Sequence, residues 1–329
     1  MQGDYQASIC APQDDALPRQ LAVSARRKKR PKVRRQPPGS LRPALSVLAA
    51  KQVEGQRESN ASSVAHRAAF ASHREHTTRL LLERAAPDKR LCLLGAGNAY
   101  DVELAELMTA YSEVHLVDLD AAALQRAVQP LTEAQRARVK RHAPVDLSGM
   151  LDRLDAWRAM RLSEDQLIRF PGEVARRLRT VLGGPFEVVA SLCLLTQLQL
   201  TLLDSLTDRH PLFSAIRFTL NVAHLRALSE LAGEAGCGLL VSDVTSSEIT
   251  QLPEQPTQSW LQLLADLMER GEVIDAVRPD LLAGLALEDP VLQQWGTLSP
   301  PLDAWLWRAG PQRRFLVYAA ELLPRSPRG

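Results

Sequence analysis

Leu91–Leu107, LCLLGAGNAYDVELAEL, is the stretch that decides the fold of this 329-residue chain. Four apolar residues lead into a turn that contains Gly95 and Gly97, and a helical pattern of apolar and charged residues follows. A buried strand that ends in a glycine turn and opens a helix is the context in which such a turn holds a nucleotide. The stretch therefore predicts the first strand, turn and helix of an α/β sheet with a nucleotide site.

Strand and helix patterns alternate through most of the remaining chain. Short apolar strands separated by amphipathic helices are typical of a parallel sheet with helices on both faces. Near the end of the chain two strand patterns are joined by a tight turn, which predicts an antiparallel β-hairpin. We therefore predict an α/β fold with a doubly wound, mostly parallel, seven-stranded sheet and a C-terminal antiparallel hairpin. The predicted strands span Arg90–Gly97, Glu113–Asp120, Arg138–Leu147, Phe186–Leu195, Gly238–Val244, Asp303–Ala309 and Arg313–Leu322.

Two residues decide which nucleotide suits the turn. The dinucleotide fingerprint requires a third glycine where this chain has Tyr100, and a bulky ring there opposes close contact between the helix and a pyrophosphate. Asp118 follows the next strand, where a carboxylate accepts hydrogen bonds from the hydroxyls of a ribose. Asp120 directly precedes a helix and is predicted to cap it. The turn and the acid indicate a nucleotide, and Tyr100 disfavours a dinucleotide.

The order of these motifs resembles the class I S-adenosylmethionine-dependent methyltransferase superfamily, from about Ser72 to Leu323. LCLLGAGNAYD resembles its first motif, although Ala99 occupies the last glycine position, and VHLVDLD resembles its second motif. HAPVDL and FEVVASLCLL are similar to the motifs of the third and fourth strands, and the terminal hairpin matches the antiparallel strand that ends this fold. The resemblance implies the class I methyltransferase fold and S-adenosyl-L-methionine as the cofactor.

The resemblance also implies which residues surround the cofactor. Asp101 or Asn98 would meet its methionine amino group, and Asp118 would hold its ribose. Two residues after the third strand would border the adenine, and two residues of the fourth strand would lie beneath the sulfonium. The full set that the resemblance implies is Gly95, Ala96, Gly97, Asn98, Asp101, Asp118, Asp146, Leu147, Ser191 and Leu192.

The end of the fourth strand bears on the methyl acceptor. Transfer from a sulfonium is an in-line displacement, so correct positioning of the acceptor can supply most of the catalysis without a fixed catalytic residue. The strand ends ASLCLL and lacks the Asn or Asp, two prolines and aromatic residue of the family's amino-methylating nucleic-acid enzymes. Cys193 does not follow a proline, as the nucleophile of the cytosine C5 enzymes does. We therefore expect a small-molecule acceptor that is methylated on O, N or S.

Asp243 and His73 are the candidates for a catalytic role. Asp243 ends the fifth strand, at the edge where doubly wound sheets bind their ligands. His73 lies near His76 in a helix before the first motif, and in the family such a helix often covers the cofactor. The alternative interpretations are a helix cap or a loop hydrogen bond for Asp243 and a solvated helix face for His73. His210 and His224 are further candidate bases.

The first 60 residues differ in composition from the rest of the chain. Arg26–Arg35, RRKKRPKVRR, contains eight basic residues, so the remainder carries a net charge of about −6. Few large apolar residues occur apart from a short helical pattern near LRPALSVLAAKQ, which predicts a disordered basic arm over residues 1–60. A solvated tail and contact with nucleic acid are both open interpretations of the basic run. The predicted plan continues with a leading helical segment over 61–87, the methyltransferase domain with helical insertions over 88–323, and a tail over 324–329.

Composition and spacing disfavour several other classes of protein. No run of about 18 apolar residues occurs, so no membrane span is expected. The first residues lack the apolar region of a secretory signal, and we expect a cytoplasmic protein. The four cysteines have no CxxC spacing, and the close histidine pair offers only two ligands. We therefore expect neither a metal site nor a disulfide framework.

Three alternative functions remain beside small-molecule methyl transfer. The first is an NAD-linked oxidoreductase, which Tyr100 and the terminal hairpin both oppose. The second is a non-catalytic protein that binds S-adenosylmethionine or acts as a scaffold. The third is a methyltransferase that acts on RNA or protein and uses the basic arm to bind its substrate. The sequence leaves the second and third open.

Overall fold

The computed structural model of the protein describes residues 45–310 and 313–325. Within these ranges eight strands form a single sheet, and all seven predicted strands are present. The additional strand is a piece of three residues ahead of the terminal hairpin. The strands are β1 Arg90–Leu94, β2 Glu113–Val117, β3 Val139–His142, β4 Val188–Leu192, β5 Cys237–Ser246, β6 Gly296–Leu298, β7 Asp303–Arg308 and β8 Arg314–Pro324.

The strand order confirms the predicted fold class. It runs β3-β2-β1-β4-β5-β8, with β6 and β7 both paired to β8. β1 to β5 are parallel, whereas β8 is antiparallel to β5 and forms the hairpin with β7. β7 and β6 pair with successive parts of β8, so together they fill the seventh position of the sheet. The sheet thus has seven positions and eight strands, because its last position is split.

The strand order also fixes where a ligand can bind. β2 and β3 lie on one side of β1, and β4 and β5 lie on the other. The connections after β1 and β4 therefore leave in opposite directions and open a crevice at the carboxyl ends of these strands. The glycine turn follows β1 at this point. The fold places the predicted nucleotide motif at the switch point of the sheet.

Helices cover both faces of the sheet. Because side chains alternate along a strand, Leu93 packs with the helices of one face and Leu94 with those of the other. The first face carries α2, α3 and α4, and the second carries α7, α8 and α9. The α-helices are α1 Val47–Ser63, α2 Ala71–Leu82, α3 Leu104–Ala110, α4 Ala121–Val128, α5 Glu133–Ala137, α6 Leu154–Arg158, α7 Glu164–Leu182, α8 Leu194–Leu206, α9 Phe213–Ala232, α10 Trp260–Glu269, α11 Pro279–Glu288 and α12 Pro290–Trp295, and short 3-10 segments span Val64–Phe70, Leu151–Arg153 and Asp275–Val277.

α1 corrects the predicted extent of the N-terminal arm. Disorder is predicted up to residue 60, but α1 begins at Val47 and is capped by Ser46, whose hydroxyl oxygen accepts a hydrogen bond from the Ala49 N–H at 3.1 Å. Leu48 and Val53 are buried in the core that the second face shares with α7, α8 and α9. The prediction of disorder is wrong for residues 47–60, because these tertiary contacts stabilise a helix whose own sequence is mostly polar.

The rest of the predicted plan is only partly covered by the structure. The basic run Arg26–Arg35 lies outside the described residues. The leading helical segment is present as the 3-10 segment Val64–Phe70 and α2. No helix in the described part of the chain combines the length and apolar character needed to cross a membrane.

Candidate functional site

A narrow cleft lies at the carboxyl ends of β1 and β2, between α1, the start of α8 and the loop after β3. It coincides with the switch point of the sheet and divides the predicted cofactor residues into two groups. Those that line the cleft are Gly95, Asp118, Asp146 and Leu147. Those that do not line it are Ala96, Gly97, Asn98, Asp101, Ser191 and Leu192.

The glycine turn is tight, and its glycines lie close to neighbouring helices. Gly95 and Gly97 have φ of 73° and 47°, in the left-handed region that glycine adopts without steric cost. A Cβ at Gly95 would lie 3.1 Å from the Leu194 Cβ of α8, and one at Gly97 would lie 3.1 Å from the Asn60 Oδ1 of α1. Ala99 also has a positive φ, 54°, at the position where the family motif has its last glycine. The turn therefore leaves no room for larger side chains at either glycine.

Asp118 joins the glycine turn to the wall of the cleft. Its Oδ2 accepts a hydrogen bond from the Gly97 N–H at 2.8 Å, and its Oδ1 accepts one from the Asp120 N–H at 2.8 Å. Burial raises the pKa of Asp118, and these two N–H groups lower it. Each carboxylate oxygen can accept more than one hydrogen bond, so Asp118 keeps acceptor capacity for hydroxyl groups of a ligand. Asp120 caps α4, as predicted, and accepts a hydrogen bond from the Ala122 N–H at 2.9 Å.

Asp146 organises the loop after β3. Its Oδ1 accepts hydrogen bonds from the N–H groups of Ser148 at 2.9 Å and Gly149 at 3.0 Å, and its Oδ2 accepts one from the Leu151 N–H at 3.1 Å. The carboxylate is thus occupied by its own loop. The neighbouring Leu147 presents apolar surface to the cleft. This wall combines apolar side chains with a rigid backbone.

α1 supplies a wall of the cleft that the sequence analysis missed. Gln52 and Gln56 of α1 line the cleft. The Nε2 of Gln52 donates to the Asp204 carboxylate of α8 at 2.7 Å, and Lys51 forms an ion pair with the same carboxylate at 2.9 Å. The apolar pattern in LRPALSVLAAKQ was the available signal for this helix, but nothing in it shows where the helix docks.

Asn98 fastens α1 to the glycine turn. Its Nδ2 donates to the Asn60 carbonyl at 2.6 Å and to the Ser63 hydroxyl at 2.9 Å, and its Oδ1 accepts from the Arg126 Nε–H at 2.8 Å. The Asn60 amide also donates to Asp120 at 3.3 Å. Of the two residues predicted to meet a ligand amino group, Asn98 therefore uses its amide N–H groups to hold α1 and its amide oxygen to bind Arg126.

A second group of polar residues lies beyond the cleft, around Cys193. His73 is fully buried, and its Nε2 lies 3.2 Å from the Asp101 Oδ1. Cys193 follows β4 and has a φ of 48°, an uncommon conformation for a side chain with a Cβ. Burial raises the pKa of the Cys193 thiol, and the nearby charges of Asp243 and Asp101 raise it further. Both predicted catalytic candidates therefore belong to one cluster, in which His73, Cys193 and Asp243 are buried and Asp101 is partly exposed.

Asp243 has the electrostatic character of a base that works near neutral pH. Its side chain is buried, and burial raises its pKa to about 6, although a hydrogen bond from the Thr196 side chain opposes the shift. The backbone carbonyl of Asp243 accepts a hydrogen bond from the Thr196 hydroxyl at 2.9 Å. A carboxyl group with such a pKa is mostly ionised at pH 7 and can still accept a proton.

Three other predicted residues lie in the core. The Ser191 Oγ lies 2.8 Å from the His224 Nε2 on α9, and both side chains are buried. Burial lowers the pKa of His224 to about 4, so this histidine is neutral near pH 7. Leu192 packs on the opposite face of the sheet. None of these three side chains lines the cleft.

His210 is also held by contacts with the backbone. Its Nε2 lies 2.9 Å from the Trp157 carbonyl, and its Nδ1 accepts a hydrogen bond from the Leu212 N–H at 3.2 Å. His76 stacks on Trp305 with ring centroids 5.0 Å apart.

Over residues 45–310 and 313–325, no group of three or more His, Cys, Asp or Glu side chains is arranged to hold a metal ion.

Comparisons with known proteins assign no function to this chain. No family model matches it, and no curated protein matches it. Among solved structures, an rRNA methylase from Streptococcus thermophilus is 11% identical, with 75% of this chain and 95% of that chain covered and a TM-score of 0.36. An O-methyltransferase family protein from Burkholderia thailandensis is 13% identical, with 81% and 60% covered and a TM-score of 0.36. A TehB-like SAM-dependent methyltransferase from Corynebacterium glutamicum is 13% identical, with 79% and 99% covered and a TM-score of 0.33.

Proposed function

We propose that this chain is a class I methyltransferase that uses S-adenosyl-L-methionine to methylate a small molecule on O, N or S. One observation carries the proposal. Gly95 from the turn after β1, Asp118 after β2 and Leu147 after β3 line a single cleft at the switch point of the sheet. These are the residue types that an adenosine requires: a close backbone, a carboxylate for the ribose and an apolar wall for the base.

The residues of the cleft fit the adenosine part of this cofactor. Leu119 and Leu147 supply apolar surface for an adenine, and Gln52 and Gln56 bring amide groups to the same cleft. Asp118 is the ribose acceptor, because it lines the cleft and retains acceptor capacity after its two backbone contacts. The methionine part would run past Gly95 towards the cluster around Cys193. Asp101 is the acid of that cluster nearest the glycine turn in sequence.

The cluster around Cys193 provides the proton chemistry in this proposal. When bound, the cofactor supplies a methyl group on a positively charged sulfur, which an acceptor atom displaces in line. Asp243 takes the proton that an O–H, N–H or S–H acceptor loses, since its pKa of about 6 leaves it ionised at pH 7. The surrounding protein excludes water from Asp243, which is 6% exposed. Positioning of the acceptor supplies the larger part of the rate.

The local geometry opposes a dinucleotide. α3, the helix that follows the turn in the chain, begins at Leu104 and not directly after Gly97, where its N-terminus would bind a pyrophosphate. The Tyr100 ring occupies the third glycine position and packs edge-on against Phe70, with centroids 6.0 Å apart. These contacts add to the sequence argument against an NAD-linked oxidoreductase.

The start of α8 favours a small acceptor over a nucleic acid. Leu194 and Leu195 follow Cys193 directly and are buried, where nucleobase-methylating relatives carry a polar and proline-rich motif. A protruding base would have to displace this packed turn. The basic run of the N-terminal arm is the feature that would support an RNA or protein acceptor. The test below therefore includes methylation of such an acceptor among its outcomes.

Calorimetry on the full chain tests the proposal. We expect S-adenosylmethionine and S-adenosylhomocysteine to bind at one site, and NAD to give no binding heat at the same concentration. Binding of NAD alone, or of none of the three, would refute the proposed cofactor. Transfer of labelled methyl groups to a small-molecule extract or to an RNA fraction would then identify the acceptor class. Labelling of RNA alone would refute the small-molecule acceptor while leaving the cofactor in place.

A further inference from the structure

A line of three side chains connects the C-terminal hairpin to the glycine turn. Trp305 of β7 donates its Nε1–H to the His73 Nδ1 at 3.1 Å. The His73 Nε2, on the other side of the ring, lies 3.2 Å from the Asp101 Oδ1. Trp305 is 1% exposed and His73 is 0% exposed, so water takes no part in this line at either ring. The line ends at the acid that follows the glycine turn.

Trp305 determines the tautomer of His73. An indole N–H can only donate, so the His73 Nδ1 must act as an acceptor and carry no proton. The proton of the neutral ring is therefore on Nε2, which faces Asp101. Nε2 forms no well-aligned hydrogen bond among the described residues, and its ion-pair contact is with the Asp101 Oδ1 at 3.2 Å. A buried N–H without a partner is costly. The Asp101 carboxylate is the group close enough to satisfy it.

Ring packing fixes the orientation of His73. Its ring stacks on Trp307 with centroids 4.5 Å apart and lies tilted against Trp305 at 5.8 Å. A ring packed against two indoles and bonded to one of them presents its Nε2 in one direction. The carboxylate that meets it is therefore held at a defined place by aromatic packing from β7.

Asp101 keeps one oxygen for another partner. Its side chain is 17% exposed, and its Oδ2 accepts no hydrogen bond from the residues that the structure describes. The charge of Asp101 raises the pKa of the Cys193 thiol. Asp101 therefore lies near the carboxyl end of β4. A carboxylate with one oxygen beside the His73 ring and one oxygen open is suited to a cationic group such as an ammonium.

We propose that His73 is a positioning residue, which Trp305 locks in one tautomer so that it aims Asp101 at the amino group of the cofactor's amino-acid part. This inference rests on the proposed function. It assigns to His73 a role in cofactor affinity and none in removing a proton from the acceptor. The lone pair on Nδ1 is occupied by Trp305, and the ring is closed to solvent. A general base requires a free lone pair within reach of the proton it removes.

Two ligands separate this role from the proposed function as a whole. S-adenosylhomocysteine carries the amino group, whereas 5′-methylthioadenosine shares the adenosine and lacks the amino-acid part. The adenosine cleft around Asp118 should bind both ligands, and Asp101 should contribute only to the first. Calorimetry of both ligands on the full chain and its variants therefore isolates the contribution of Asp101.

Two variants of His73 provide a matched pair. His73→Gln keeps an N–H near the position of Nε2, and His73→Asn keeps an acceptor for Trp305 but withdraws the group that faces Asp101. We expect His73→Asn to bind S-adenosylhomocysteine about 10-fold more weakly, with the affinity for 5′-methylthioadenosine within about 2-fold of wild type. His73→Gln should recover most of the lost affinity. Asp101→Asn should reproduce the loss, and combining it with His73→Asn should add little.

Each outcome supports or overturns the inference. Equal weakening of both ligands by His73→Asn, or equal affinities for the Gln and Asn variants, would mean that His73 only supports the fold. If the wild-type chain binds both ligands, the proposed function still stands even when these variants contradict the role of His73. Absence of binding to the wild-type chain would remove the proposed function and this inference together. Trp305→Phe, which keeps an aromatic ring and removes the N–H donor, should weaken S-adenosylhomocysteine alone, and no change would overturn the tautomer argument.

Discussion

At the scale of single residues, Asp243 sets the expected pH dependence of turnover. Burial raises its pKa to about 6, so the carboxylate becomes protonated as the pH falls through that value. We expect kcat to fall about 10-fold per pH unit below 6, because a protonated carboxyl group cannot accept the acceptor's proton. Asp243→Asn should lower kcat at pH 7 by about 100-fold and flatten the acid limb. An unchanged acid limb in this variant would exclude Asp243 as the base.

A separate prediction concerns stability and follows from His224, because burial lowers its pKa from 6.5 to about 4 in the folded chain. The unfolded chain therefore binds a proton first, and the folded state loses stability as the pH falls from 6.5 towards 4. At pH 5 the loss from this residue should be about 2 kcal/mol. His224→Gln keeps a hydrogen-bond partner for Ser191 and does not titrate, so its unfolding free energy should fall less between pH 7 and pH 5. Equal losses in urea unfolding of both proteins would contradict this assignment.

At the scale of elements, α1 is expected to depend on Asn98 for its docking. Asn98→Ala removes the hydrogen bonds to the Asn60 carbonyl and the Ser63 hydroxyl and leaves buried groups unpaired, which typically costs about 1–3 kcal/mol. Hydrogen exchange of residues 47–63 should therefore become faster, while exchange in β1 and β4 changes little. Asp204→Ala is the control, because it removes exposed contacts of α1, those of Lys51 and Gln52, and should have a small effect. Uniform acceleration in all elements would show that α1 does not open independently.

The elements that the sequence predicts are those whose signal is local. Every strand of the parallel sheet was predicted from the apolar run Leu91–Leu94 and from the alternation of later strands and helices. The place of Asp118 at the cleft was predictable because it directly follows a strand. The contact of Ser191 with His224 was not predicted, although the alternation of β4 puts Ser191 on the same face as Val189, which packs in the core.

The remaining features depend on contacts that are distant in sequence. α1 has four buried residues among its 17, and its place over the glycine turn follows from Asn98, which lies 38 residues after Asn60. The environment of His73 depends on Trp305, which lies 232 residues further along the chain. Asp146 was given a ligand role, whereas the following Ser and Gly are typical of a turn that such a carboxylate organises.

At the scale of the whole molecule, charge is unevenly distributed along the chain. The remainder of the chain has a net charge of about −6 and should not attract a polyanion, whereas Arg26–Arg35 should. Removing residues 1–44, and stopping short of α1, should weaken RNA binding at least about 10-fold at 0.1 M salt and leave S-adenosylhomocysteine affinity unchanged. Replacing the eight basic residues by glutamine in the full-length chain is the matched control. Unchanged RNA affinity in both variants would favour the interpretation of a solvated tail.

The central claim is that Asp118, beside the glycine turn, holds the ribose of an adenosine cofactor. The most direct measurement is the affinity for S-adenosylhomocysteine of Asp118→Asn compared with Asp289→Asn. Asp289 also accepts two backbone N–H groups, those of Val291 and Leu292, but does not line the cleft. We predict that Asp118→Asn loses at least about 10-fold in affinity, or about 1.4 kcal/mol, while Asp289→Asn binds as the wild-type chain does. Wild-type affinity in Asp118→Asn would contradict the claim.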